Sequence, residues 1–180
     1  MTKRLRDRLT TKKLPCGMNV HIYKLEGVHY FTIDLLVHYG ALYEKFKVGD
    51  KLKETKTGLA HFLEHLMFNL PEGDMTMEFD KYRLDNNAYT SAYSTDYFCS
   101  GVKNFYQGIS LVLKMVFNAY LDKEAIEKEK KIIINETLRE TSQPSYPYDC
   151  AIAYNLYENS PLRHDICGSI DDIKSISEDD

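Results

Sequence analysis

The chain has 180 residues, 43% of them hydrophobic and 28% charged, with a formal net charge of -4. That is the size and composition of one domain able to bury a core, and it supplies no overall positive field for nucleic acid. No stretch approaches the roughly 20 apolar residues of a membrane-spanning helix, so the sequence predicts neither nucleic acid nor a membrane as a partner.

Residues 1–13 are locally basic (Lys3, Arg4, Arg6, Arg8, Lys12, Lys13) and lack the apolar run of a secretory signal. They are expected as a solvated basic leader before a single unit spanning 14–180. Pro15-Cys16-Gly17 supplies a turn, and 18–24 then alternates apolar with polar residues as a strand does. A cleaner alternation follows, with Phe31, Ile33, Leu35 and Val37 on one side of a second strand. The polar, lysine-rich stretch 45–56 reads as a loop. A helix is expected over 57–68, stopped by Pro71-Glu72-Gly73-Asp74, and a short one over 75–83.

Segments 87–93 and 97–102 read as two strands joined by Ser94-Thr95-Asp96. Apolar residues at helical spacing predict a helix over 104–120, and a second long helix, rich in Glu and Lys, over 123–140. Pro144 and Pro147 break the pattern before a further helix at 148–157. Gly168-Ser169 then caps a short helix starting at Ile170. Ser177-Glu178-Asp179-Asp180 has the pattern of another helix opening, which predicts that the unit is a piece truncated at its C-terminal end. Cys16, Cys99, Cys150 and Cys167 form no CxxC pair; scattered thiols point to a reducing, cytoplasmic setting.

The chemistry concentrates in His61-Phe62-Leu63-Glu64-His65. Residues four apart share a helix face, so both imidazoles can reach one metal ion, with the Glu64 carboxylate beside them. Zinc takes two histidines and a carboxylate and leaves a fourth position for water, whose pKa it lowers; an unligated Glu64 can then act as general base. The bland alternative is a pair of surface histidines, with chance odds on the order of 1 in 100 for such a pentapeptide. The third donor must come from elsewhere. Glu129 and Glu136 lie two helical turns apart, although a solvated Glu/Lys helix looks the same. Glu124 and Glu127 read as surface residues, Glu140 is a weaker candidate, and His164 sits in a polar segment beside Arg163.

Gly58-Leu59-Ala60-His61-Phe62-Leu63-Glu64-His65-Leu66-Met67-Phe68 resembles the metal helix of the pitrilysin, insulysin and mitochondrial processing peptidase family, the inverzincins. Asn87-Ala88-Tyr89-Thr90-Ser91 is similar to the strand after that helix. Ile126 to Glu136 is similar to the family's glutamate helix, and Pro161 to Gly168 to a connecting segment of its short bacterial members. The 71 residues from His65 to Glu136 fit the family's layout.

The resemblance implies an α+β fold, an antiparallel sheet with helices packed on one side, forming one half of a two-half clamshell. It implies one zinc ion held by His61, His65 and Glu136, with Glu64 as general base and Glu129 as an acid supporting a ligand. It implies that Asn87 and Ala88 lie on a sheet edge that pairs with an extended peptide. Phe68 then either lines a side-chain pocket or packs in the core. The implied function is endopeptidase action on short or unfolded peptides, together with a second homologous half or partner subunit. The alternative is a non-catalytic partner or scaffold half. One departure from the family pattern is Arg83-Leu84-Asp85-Asn86, where glycine is common.

Overall fold

The computed structural model describes residues 8–71 and 73–180. Strand β1 (Leu9–Lys13) pairs antiparallel with β2 (Asn19–Tyr23). The expected basic leader is therefore in part a strand, fully exposed along its length; its first seven residues lie outside the described ones. Strand β3 (Phe31–Val37) follows.

The expected loop at 45–56 is instead a hairpin of β4 (Lys45–Val48) and β5 (Lys51–Glu54), with Val48 opposite Lys51. Its connection is Gly49-Asp50, and Gly49 takes φ 61. Glycine first in a two-residue hairpin loop supplies the positive φ that matches the twist of the flanking strands. Four lysines on the two strands hid the alternation Lys-Phe-Lys-Val and Lys-Leu-Lys-Glu, which is strand-like.

Helix α1 (Leu59–Leu66) carries the histidine motif. A minimal hairpin, β6 (Asn69–Leu70) and β7 (Gly73–Asp74), leads into α2 (Met75–Lys81), where the Asp74 side chain accepts from the Thr76 N–H. Strands β8 (Asp85–Thr90) and β9 (Thr95–Gly101) come next, then α3 (Phe105–Phe117), α4 (Lys123–Thr141), α5 (Tyr146–Leu156), a single 3-10 turn at Pro161–Arg163 and α6 (Ile170–Ser175). Asp122 caps α4 by accepting from the Ala125 N–H, and Ser169 caps α6 through the Asp172 N–H.

The central sheet is antiparallel in the order β3-β9-β8, leaving β8 as an edge. Period-two alternation sends Phe31, Ile33, Leu35 and Val37 to one face, with Tyr97, Cys99 and Ala88. Helices α2 and α3 cover that face through Met75, Phe79, Leu111, Val112 and Met115. On the other face Thr32, Asp34 and Leu36 are exposed.

A second core forms where α1 meets α4 and α6: Leu59, Phe62 and Leu66 pack with Ala125, Ile126, Ile133, Ile173 and Ile176. The metal-motif helix is thus wedged between the sheet and the glutamate helix. Phe62, the residue between the two histidines that points into this core, is fully buried. Truncating such a side chain costs about 3–5 kcal/mol, so the orientation of α1 is strongly determined. The expected α+β arrangement, a sheet with helices on one side, is the fold observed.

Candidate metal centre

The start of α1 is fixed by two glycines. Gly58 precedes the helix at φ 77, and a Cβ there would run into the Cys167 carbonyl; a Cβ on Gly168 would run into the Thr57 carbonyl. The two backbones cross in contact, and only residues lacking a side chain allow it. The Thr57 hydroxyl adds a bond, accepting from the Ser169 N–H at 3.0 Å.

One turn into the helix, His61 and His65 stack edge to face with ring centroids 4.8 Å apart. Glu136 reaches them from α4. Its Oε2 lies 3.4 Å from His65 Nε2 and 3.9 Å from His61 Nε2. The three residues form a group whose donor atoms all lie within 4.8 Å of one another. Glu136 Oε2 is buried and accepts no hydrogen bond, an orphaned acceptor between two imidazole nitrogens. Such a buried atom needs a partner. Two donors each ~2.1 Å from a tetrahedral zinc ion stand roughly 3.4 Å apart. The Glu136–His65 pair has that spacing, the pairs to His61 are wider and would draw in around an ion, and the donor types are those zinc takes.

Glu129, two turns before Glu136 on α4, is buried and sits behind His65, with Oε2 3.5 Å from His65 Nδ1. The opposite oxygen, Oε1, accepts from Asn69 Nδ2 at 3.3 Å. Burial pushes the Glu129 carboxyl up, but the bonds from His65 and Asn69, with Lys128 nearby, outweigh it and hold the group below its usual range. Burial pushes His65 down, yet Glu129 and Glu136 outweigh it and raise it. His61 is lowered, first by burial and then by the charge of His65. Burial raises the Glu64 carboxyl against the opposing hydrogen bond from Thr90. That bond runs from Thr90 Oγ1 to Glu64 Oε2 at 2.6 Å.

Asn87 and Ala88 lie in the edge strand β8, opposite Phe98 and Tyr97 of β9. The Ala88 N–H donates to Asn87 Oδ1 at 2.9 Å rather than to β9, so it faces the open edge. Phe68, just past the end of α1, is half-buried and packs against the Met75/Phe79 core. The other ligand candidates are elsewhere: His164 Nδ1 pairs with Glu44 Oε1 at 2.6 Å, and Glu140 is exposed beside Arg139.

Asn69, Thr90 and Thr95 are neighbours of the site that sequence reasoning did not single out. Thr90 carried a signal: it lies within the Asn87-Ala88-Tyr89-Thr90-Ser91 segment and shares a strand face with Ala88. Asn69 and Thr95 carried none, because only tertiary contact brings them in.

The sequence profile described as Insulinase (Peptidase family M16) matches residues 22–168. The uncharacterized zinc protease YmfH of Bacillus subtilis is 28% identical over 179 residues, covering 98% of this chain and 42% of that protein. The beta subunit of the mitochondrial-processing peptidase of Saccharomyces cerevisiae is 29% identical over 179 residues, covering 94% of this chain and 36% of the subunit. A crystal structure of a protein from Alicyclobacillus acidocaldarius assigned as M16-like peptidase superposes with a TM-score of 0.90 at 28% identity, over 95% of this chain and 40% of that one. The chain thus spans less than half the length of each of these relatives. The profile match covers most of the chain and spans both the histidine and the glutamate helices, and the chain belongs to the insulinase family of peptidases, family M16.

Proposed function

We propose that this chain is the metal-bearing half of a zinc endopeptidase that cleaves short or unfolded peptides, working with a second, closing half. The reading is carried by one observation: the unpartnered, buried Glu136 Oε2 lying between His61 Nε2 and His65 Nε2. In this proposal those three side chains hold zinc, and Glu129 keeps the His65 ring aimed by accepting from Nδ1. A zinc ion there supplies Lewis acidity, which eases removal of a proton from the attacking water.

The chain's own residues do the rest. An extended substrate adds to the open edge of β8 through main-chain hydrogen bonds, with the outward Ala88 N–H as one donor. Glu64 takes a proton from water as the water oxygen attacks the scissile carbonyl carbon. It then returns that proton to the leaving amine nitrogen as the C–N bond breaks. Burial, which raises the Glu64 carboxyl, makes its protonated form less unfavourable during the exchange. The second half would enclose the peptide and exclude water. The four unpaired thiols accord with a cytoplasmic setting, which belongs to the same proposal.

The test is Glu64→Gln in the complete peptidase. Zinc content should be unchanged while kcat falls by on the order of 100- to 10,000-fold, the range of a lost general base. Full activity in the variant would refute the mechanism. A complete, folded protein that takes up no zinc at near-neutral pH would favour the scaffold role instead.

A further inference from the structure

We propose that Thr90 is the positioning residue for Glu64 and divides the work of its two oxygens: the Thr90 hydroxyl holds Oε2, and Oε1 is the oxygen that exchanges the proton. This rests on the peptidase reading above. The Thr90 Oγ1 to Glu64 Oε2 bond, at 2.6 Å, ties the edge strand to the metal helix across 26 residues of sequence. The Thr90 backbone N–H adds attraction to the same carboxylate. Among the described residues no side chain donates to Oε1.

The direction of the bond is fixed by counting protons. The buried Thr95 hydroxyl gives its single proton to the Tyr39 carbonyl at 2.9 Å. Thr95 Oγ1 also lies 3.3 Å from Thr90 Oγ1, long for a hydroxyl pair, so no proton need sit between them. The single Thr90 proton is therefore left for Glu64. A threonine on a strand has few rotamers, and Thr95 blocks one side of this one, so the donor is held in place before substrate arrives.

The consequence for the reaction is regiochemical. A water O–H bond breaks, its proton forms the bond to Glu64 Oε1, and the electron pair remains on the oxygen that attacks the carbonyl carbon. When the C–N bond breaks, the Oε1 proton passes to the amine nitrogen. The Thr90 to Oε2 bond persists through both transfers, so the carboxylate does not rotate between them. Thr90 lies two residues beyond Ala88 on the same strand, so the edge that would receive the peptide also aims the base.

The experiment compares Thr90→Val and Thr90→Ser with the parent and with Glu64→Gln, using this chain together with its closing half. Valine keeps the branched shape and removes the donor; serine keeps the donor. For Thr90→Val, kcat should fall on the order of 10- to 100-fold, the size expected from a misplaced reacting group, with KM within about twofold. Zinc affinity by chelator competition should be unchanged, and a crystal structure of the zinc-free variant should show the Glu64 carboxylate displaced on an unmoved α1. Thr90→Ser should recover kcat to within about threefold of the parent. Parental kcat in Thr90→Val, or an equal loss in Thr90→Ser, overturns the inference. Should Thr90→Val not fold, Thr90→Ala is read by the same criteria. Full activity in Glu64→Gln would instead bring down the peptidase reading itself, which separates the two failures.

Discussion

Replacing Glu129 by glutamine isolates the contribution of the carboxylate behind His65. The side chain is buried, its Oε2 lies 3.5 Å from His65 Nδ1, and its Oε1 accepts from Asn69 Nδ2 at 3.3 Å. A carboxylate can accept from both neighbours at once. A glutamine with its oxygen toward His65 turns its amide nitrogen on the Asn69 amide, donor against donor, unless Asn69 flips and gives up its own bonds to the His65 carbonyl and from Lys128. Flipping the glutamine moves the clash to His65. The charge that raises His65 and increases its basicity as a ligand is lost in either arrangement. Loss of such an outer partner costs about 10- to 100-fold in metal affinity, or roughly 1.4–2.7 kcal/mol. Zinc competition against a chromophoric chelator at a fixed near-neutral pH reads this directly on the 180-residue chain, because all three proposed donors lie within it. Glu124→Gln, on the first turn of the same helix and exposed, serves as control and should leave affinity unchanged. A Glu129→Gln variant that binds zinc within about twofold of the parent would refute the argument that this acid supports the site.

Two further outcomes follow from the same geometry. Gly58→Ala places a methyl group against the Cys167 carbonyl at a positive φ; stability should fall by more than about 2 kcal/mol, read by urea unfolding, and a neutral result would show that the crossing at the start of α1 can relax. Zinc affinity should weaken as pH falls from 8 to 6. His65 has its folded pKa raised, so protons compete for its nitrogen from a higher pH than for an ordinary histidine, whereas His61, lowered by burial and by the charge of His65, meets that competition only at lower pH. The slope should be up to about tenfold per pH unit for one displaced proton, and a flat profile would exclude His65 as a ligand.

Much of the site was legible from the sequence because one helical turn sets it. His61, Glu64 and His65 needed only the 3.6-residue period to share a face, and the structure keeps them there. Glu136 was different. Its spacing from Glu129 was equally that of a solvated surface, and the resemblance to a known family, not periodicity, singled it out. The reason is physical: the approach of α4 to α1 is decided by Phe62, Ile133 and Ile173 packing together, a long-range event with no local signature.

The same limit hid Asn69 and Thr95. The hairpin at 45–54 was missed for another reason: lysines fill one face of each strand, and the polar composition masked the alternation. Arg83 illustrates a compensated departure. It takes φ 56, the left-handed conformation glycine adopts freely, so the turn before β8 keeps a glycine-like shape with an arginine in it. That geometry costs about 1–2 kcal/mol for a residue with a Cβ. Leu84, fully buried beside it, anchors the turn.

The central claim is that His61, His65 and Glu136 together hold zinc. The most direct measurement is the zinc content of the purified chain and of Glu136→Ala after equilibration and dialysis at near-neutral pH. The account predicts one zinc per parent chain and none retained by the variant. A variant that keeps as much zinc as the parent would contradict it.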